Sequence, residues 1–250
     1  MSWSVWIVPG ACFALEFLVL GCVWRWRTWR TFPVYSSYIV FVLFRGALLF
    51  ATFSHPRVYF LGYWLSAPVE ILLTILAVME SFWRVFRSFQ LLRWFRLVLP
   101  TAICLALGYS AWAGYHFPPV ETSPVGAALI HTSVASHYVV LSIAILFLSL
   151  ATLLHVPWRI HEHRFVLGFG VASLAFVFGG WVRAVFGSQA SAVSAQAPPV
   201  GYLIALLIWF SALVHPVAEQ PTSSGEPVEI VDGLKFQLRN MRSFVRKSVQ

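Results

Sequence analysis

Residues 127–154 read AALIHTSVASHYVVLSIAILFLSLATLL, a run that contains no Asp, Glu, Lys or Arg. A helix of about 20 apolar residues is enough to cross the hydrocarbon core of a bilayer. Six further apolar runs of suitable length occur in the 250-residue chain. The sequence therefore predicts an all-α transmembrane bundle of seven spans. The predicted spans are 3–24, 34–54, 60–83, 97–116, 127–154, 165–187 and 200–215.

Composition supports this interpretation. Hydrophobic residues make up 59% of the chain and charged residues only 10%, whereas soluble domains carry about 25% charged residues. A water-soluble enzyme and a disordered chain are excluded on these grounds. The three cysteines form no CxxC pair, so a disulfide scaffold is not indicated either. The last run is the shortest, and six spans with a re-entrant final segment remain an alternative.

The basic residues are distributed unevenly between the two sides of the predicted bundle. Fourteen of the 17 lysines and arginines lie in loops one, three and five and in the C-terminal tail, all on one side. Cytoplasmic segments carry this excess in membrane proteins. We therefore expect a cytoplasmic C-terminus, an external N-terminus and a bacterial inner membrane as the location. The formal charge of +8 then needs no nucleic-acid partner.

The chain after the last span divides into two parts. Residues 217–233 combine Pro, Gly and Ser with four acidic residues, which indicates a flexible linker after a transmembrane domain over residues 1–216. Residues 234–250 predict an amphipathic helix that lies on anionic lipids of the inner leaflet. Docking of a partner protein at the cytoplasmic face is the alternative. The basic face of this helix consists of Lys235, Arg239, Arg242 and Arg246.

Three ionisable residues lie near mid-depth in the first three predicted spans. Arg45 and Glu70 fall close to the centres of their spans, and Glu16 falls a few residues inward of its own. At a rise of about 1.5 Å per residue, the three side chains reach nearly the same depth. Because the guanidinium fork can bind two carboxylates, we predict a buried Glu16–Arg45–Glu70 cluster. Pro68 frees a backbone carbonyl in the turn before it, which predicts a bend beside Glu70.

Two kinds of role fit such a cluster. Ionisable groups inside a membrane are costly, and they often mark a site for ligand recognition, ion passage or proton transfer. With two acids and one base, one carboxyl group can hold a proton. The same cluster can also serve only to lock three helices together. The sequence leaves both roles open.

Four more ionisable residues have predicted positions. His137, at mid-depth in the fifth span, is expected to join the central polar cavity. Arg183 follows a stripe of small residues that indicates close approach of another helix. Its side chain should therefore point into the bundle or the outer vestibule, where it could bind an anionic ligand, unless it reaches the lipid headgroups. Glu80 and Arg84 lie one helical turn apart and predict a structural ion pair. The stripe consists of Gly168, Ala172, Ala175 and Gly179.

Cofactors and catalytic motifs are not indicated. His55, His116 and His131 lie near outer span ends, which leaves a haem held by two histidines as an alternative. Residues 161–163 (HEH) form a weak pattern for a metal, and no metal site is predicted. The seventh span has no lysine, so a retinal Schiff base is not expected. No GxxxxGK, HExxH or GxSxG motif occurs, and no enzymatic activity is predicted.

Motifs in spans two, three and six form a distinctive combination. They are Arg30-Thr31-Phe32-Pro33, Tyr38, Tyr63-Trp64, Glu70, Glu80, Phe82 and the glycine-bearing stretch from His163 to Gly170. The combination resembles uncharacterised bacterial seven-helix membrane proteins. In overall plan the chain is also similar to the seven-helix sensor modules that precede bacterial signalling domains. This resemblance implies the fold and no particular activity.

The leading functional hypothesis is a membrane protein that senses or binds a small ligand through the mid-membrane polar cluster. A small secondary transporter or proton-coupled carrier is one alternative, and a structural subunit of a larger membrane complex is another. An outer pocket above a closed inner face would favour a receptor. Access from both faces would favour a transporter, and a bundle without a pocket would favour a subunit.

Overall fold

The computed structural model describes residues 4–87, 89, 95–116, 124–154 and 160–214, and every regular element in these ranges is helical. Seven long helices occur in the order of the predicted spans among these residues, and a short helix, α2, precedes α3. The prediction of an all-α fold is confirmed. The helices are α1 (Ser4–Arg25), α2 (Thr28–Thr31), α3 (Pro33–Thr52), α4 (Pro56–Val85), α5 (Phe95–His116), α6 (Pro124–Leu153), α7 (Ile160–Phe186) and α8 (Ser191–Leu213).

Six of these helices are long and apolar enough to cross a membrane, namely α1, α3, α4, α6, α7 and α8. In α5 the described apolar stretch, Leu97–Trp112, is shorter than such a span. The chain is thus a helical membrane protein with six candidate spans among its described residues. The seventh span and the orientation of the termini remain predictions. The linker and the basic tail, residues 217–250, lie outside the described residues.

The last helix begins well before residue 200, where the sequence placed its start. α8 runs from Ser191 through Pro198 and Pro199. In the sequence this pair predicts a helix boundary, because proline has no backbone N–H to donate to the preceding turn. The Ser194 carbonyl, four residues before Pro198, loses its usual donor and lies against α7. A Cβ at Gly179 would stand 2.9 Å from that oxygen, so the close approach requires glycine. Packing against α7 therefore stabilises α8 as a continuous helix, although its two prolines favour a break.

Five helices close a ring. Around it α1 contacts α3, α3 contacts α4, α4 contacts α7, α7 contacts α8, and α8 returns to α1. Outside this ring α6 packs against α4 and α7, and α5 packs on α6. Contacts between Arg84 and Thr31, Phe32 and Phe165, and Arg164 and Ser211 bring five helix termini to one end. We call this the arginine-rich end, after Arg25, Arg27, Arg30, Arg84, Arg87 and Arg164.

Aromatic side chains fill the ring near the arginine-rich end. The Tyr35 ring of α3 stacks on Phe165 of α7 with centroids 4.0 Å apart. Trp209 of α8 is fully buried and donates its Nε1–H to the Phe165 carbonyl at 3.1 Å. Edge-to-face contacts join these rings to their neighbours, an arrangement that stabilises aromatic clusters. We refer to this group as the aromatic core; it consists of Phe32, Tyr35, Tyr38, Phe165, Phe169 and Trp209.

The stripe of small residues on α7 permits the close approach that the sequence predicted, and the approaching helix is α8. A Cβ at Gly168 would overlap the indole of Trp209, and a Cβ at Gly201 would overlap Ala175. Small residues are what allow two membrane helices to pack this closely. The stripe thus fixes Trp209 in the centre of the ring.

Replacement of Gly168 by alanine is expected to destabilise the fold by about 1–3 kcal/mol, because the added methyl group displaces a packed indole. Gly180→Ala on the same helix is the matched control, since a Cβ there meets nothing within 4 Å. Chemical unfolding in mixed micelles measures both variants. Equal stability of the two would contradict the packing described for α7 and α8.

Glu80 and Arg84 of α4 hold the start of α3. The Glu80 carboxylate accepts hydrogen bonds from the backbone N–H groups of Val34 at 3.3 Å and Tyr35 at 3.0 Å. Arg84 donates to the Thr31 carbonyl and lies 4.6 Å above the Phe32 ring. Each side chain therefore has partners other than the i, i+4 ion pair that the sequence predicted. The first N–H groups of a helix lack internal acceptors, and Glu80 supplies one. We call this set of contacts the α3 clasp.

Glu80→Ala is expected to lower the free energy of unfolding by about 1 kcal/mol, the usual effect of removing a helix cap. Glu80→Gln keeps an acceptor oxygen and loses the charge that favours a helix N-terminus, so its effect should be smaller. Thermal unfolding of the purified variants compares them. A larger loss in the glutamine variant would be inconsistent with capping.

Candidate functional site

Arg45 and Glu70 form an ion pair between α3 and α4. The Arg45 Nη1 atom lies 2.5 Å from Glu70 Oε2. The Arg45 Nε–H also donates to the Ser66 hydroxyl at 2.8 Å, and the guanidinium lies 5.0 Å above the ring of Tyr63. The Arg45–Glu70 part of the predicted cluster is therefore present. Beside it, α4 continues as a helix through Pro68. Among the described residues, Glu70 is thus the one carboxylate that balances the charge of Arg45.

Glu16 lies apart from this ion pair. Its side chain is buried, with 5% exposed, and its Oε1 atom accepts a hydrogen bond of 2.9 Å from the Tyr202 hydroxyl of α8. The predicted pairing of Glu16 with Arg45 is thus replaced by a neutral donor from the last helix. The reason is the ring topology, which places α1 against α8 as well as α3.

Tyr38 of α3 joins the two parts. Its buried side chain has Tyr202, Thr74, Glu16 and Glu70 as polar neighbours. Thr74 in turn donates to the Glu70 backbone carbonyl at 2.8 Å. Polar groups from α1, α3, α4 and α8 thus meet inside the ring. We call this set the polar network; it consists of Glu16, Tyr38, Arg45, Glu70, Thr74 and Tyr202.

Three members of the polar network were not identified from the sequence. Tyr38 and Thr74 carry a signal that could have revealed them, since they stand seven and four residues from Arg45 and Glu70 on the same helix faces. Tyr202 carries no such signal. It belongs to a helix far along the chain, and only the contact between α1 and α8 brings it to Glu16.

The polar network lies at a boundary in packing. Toward the arginine-rich end the ring is filled by the aromatic core, in which Tyr35 and Phe165 have no exposed surface. Toward the opposite, arginine-poor end, no described residue of α3 after Val42 or of α4 before Ala77 is buried. The same holds for residues 192–200 of α8. α3 and α4 therefore bury side chains only on the arginine-rich side of the network, whereas α7 and α8 stay in close contact on both sides of it.

His137 and Arg183 lie outside the polar network. The His137 ring stands between α6 and α7, where its Nδ1 atom is 3.2 Å from the Ser173 hydroxyl and its ring stacks on Phe176 at 3.9 Å. The His137 side chain therefore lies at the α6–α7 interface and not in the central cavity, where the sequence predicted it. Arg183 is exposed at the arginine-poor end of α7, although the small residues before it do face α8.

The histidines proposed as haem or metal ligands are only partly covered by the described residues. His55 is exposed and His131 is half-buried, while the His116 side chain lies outside the described residues, so the haem alternative is not tested. Within the described ranges, no group of three His, Cys, Asp or Glu side chains is arranged to hold a metal ion. The tail residues Lys235, Arg239, Arg242 and Arg246 also lie outside these ranges.

Comparison with known proteins finds no match among family models, curated proteins or solved structures. The resemblance to bacterial seven-helix membrane proteins therefore stays a prediction.

Proposed function

We propose that this chain binds and senses a small ligand in the polar network, and that the ligand arrives from the arginine-poor end. The observation that carries this proposal is the position of the network. It lies where the tightly packed half of the ring gives way to the half in which α3 and α4 bury no side chain. A few polar groups that converge among apolar side chains are the usual composition of a ligand site.

The aromatic core favours a receptor over a carrier. A carrier requires access to its site from both faces, whereas the fully buried rings of Tyr35, Phe165 and Trp209 fill the ring on the arginine-rich side. The hydroxyl groups between Glu16 and Glu70 support the second candidate, a proton-coupled carrier, because such groups can relay protons. The two functions differ in the faces from which the network is reached.

The proposal includes an orientation. Seven spans, with α5 as the fourth, place the arginine-rich end in the cytoplasm of a bacterial-type inner membrane and the N-terminus outside. The ligand then comes from the external side. The basic loops and the tail helix would contact anionic lipids of the inner leaflet or a partner protein, which would receive the signal.

Cysteine labelling tests the direction of access. In a variant without Cys12, Cys22 and Cys104, we expect Ser66→Cys to react with a charged, membrane-impermeant thiol reagent that is added outside intact cells. Leu65→Cys is the matched control, because the adjacent Leu65 side chain is exposed on the outside of the bundle and a thiol in lipid stays unreactive. Its labelling should remain at background.

The same experiment distinguishes the alternatives. Reaction of Ser66→Cys from both faces in inverted and intact vesicles would favour the proton-coupled carrier. Reaction from neither face would contradict a ligand site and leave the network with a structural role in a larger complex. Reaction only from the arginine-rich side would contradict the proposed orientation.

A further inference from the structure

The charges of the polar network do not balance. Arg45 is bound by Glu70, Ser66 and Tyr63, whereas the described contacts of Glu16 include a neutral hydroxyl and no cation. A buried carboxylate is stable only when a proton, a cation or several donors compensate its charge. A single hydrogen bond from Tyr202 is weak compensation in the interior of a membrane protein. Among the described residues Glu16 thus lacks a cationic partner, and a bound cation would supply one.

The side chains around Glu16 suit an organic cation. The rings of Tyr38, Tyr202 and Trp209 lie close together, with centroids of Tyr38 and Trp209 separated by 5.9 Å and those of Tyr202 and Trp209 by 6.2 Å. Aromatic rings attract cations, and beside this network Tyr63 already packs against the Arg45 guanidinium. A calcium or magnesium ion, by contrast, takes six or more oxygen ligands, and Glu16 with the hydroxyls of Tyr38 and Tyr202 provides fewer than that.

We propose that the ligand is a small organic cation with N–H donors, such as a protonated primary amine. Its ammonium group pairs with the Glu16 carboxylate and donates to the tyrosine hydroxyls, while its apolar part extends toward the arginine-poor end. This inference rests on the proposed ligand-binding function and adds the chemical class of the ligand.

Binding of four small probe ligands to the full chain in lipid nanodiscs tests the inference. We expect saturable binding of n-butylammonium by calorimetry, and weaker or no binding of butyrate, n-butanol and sodium ions at equal ionic strength. Glu16→Gln should weaken butylammonium binding about tenfold or more, the usual effect of losing a charge-assisted hydrogen bond. Glu16→Asp should retain part of the affinity. Arg183→Gln, at an exposed position, should bind like the unmodified chain.

The outcomes separate the two proposals. Binding of butyrate or butanol that is stronger than that of butylammonium would overturn the cationic class and leave the ligand site in place. Preference for sodium ions would overturn it in favour of an inorganic cation. Equal butylammonium binding by the unmodified chain and by a folded Glu16→Gln variant would contradict the role of Glu16. Absence of binding by all four probes, together with an unreactive Ser66→Cys, would overturn both proposals.

Discussion

Replacement of Arg45 by methionine should lower the free energy of unfolding by about 3–5 kcal/mol, because it leaves the Glu70 carboxylate without its cation. The present ion pair joins Arg45 Nη1 to Glu70 Oε2 at 2.5 Å. Methionine preserves most of the apolar volume of the arginine stem, so the loss reports the charge rather than a cavity. Chemical unfolding in mixed micelles, followed by tryptophan fluorescence, is a suitable measurement.

A double-mutant cycle makes this prediction specific. The variant Arg45→Met with Glu70→Gln carries no unpaired charge, and most of the lost stability should return in it. Ser66→Ala removes only the hydrogen bond to Arg45 Nε and should cost about 1 kcal/mol. If Arg45→Met destabilises no more than Ser66→Ala does, the ion pair contributes little to the stability of the bundle.

Trp209→Ala should produce a loss of similar size, about 3–5 kcal/mol, through a cavity at the centre of the ring. Trp209 has no exposed surface and contacts rings from α3, α7 and α8 itself. Its removal therefore weakens the packing between three helices at once. Thermal and chemical unfolding both measure the change.

Two further variants show which part of Trp209 matters. Trp209→Phe keeps an aromatic ring but removes the Nε1–H donor to the Phe165 carbonyl, so an intermediate loss is expected. Trp181→Ala is the matched control, since Trp181 is 55% exposed on α7. Stability of Trp209→Ala equal to that of Trp181→Ala would show that the aromatic core does not hold the ring together.

The depth of each ionisable side chain in the membrane could be predicted from the sequence, whereas its contacts with distant helices could not. Counting residues along each span placed Glu16, Arg45 and Glu70 at similar depths, and the ion pair of Arg45 with Glu70 followed from that. The angular position of α8 around the bundle is set by packing of the small residues on α7. No local sequence pattern specifies this angular position. The contact between Tyr202 and Glu16 could therefore not be predicted from the sequence.

The same reasoning explains the difference at Glu80. An i, i+4 spacing correctly places Glu80 and Arg84 on one face of α4. It carries no information about competing partners from another helix. The start of α3 presents two N–H groups to Glu80, and the last residue of α2 presents a carbonyl to Arg84. N–H groups without internal acceptors outcompete a neighbour on the same helix.

The α3 clasp has a mechanical consequence for the ring. α3 and α4 are fastened at two levels, by Glu80 on the Val34 and Tyr35 amides and by Arg45 on Glu70. Arg45 follows Val34 by eleven positions, which separates the two fastenings by about 16 Å along the helix axis. A slide of one helix past the other would have to break both fastenings together. The pair should therefore move as a single rigid lever, and any rearrangement of the ring should occur at its seams with α1 and α7.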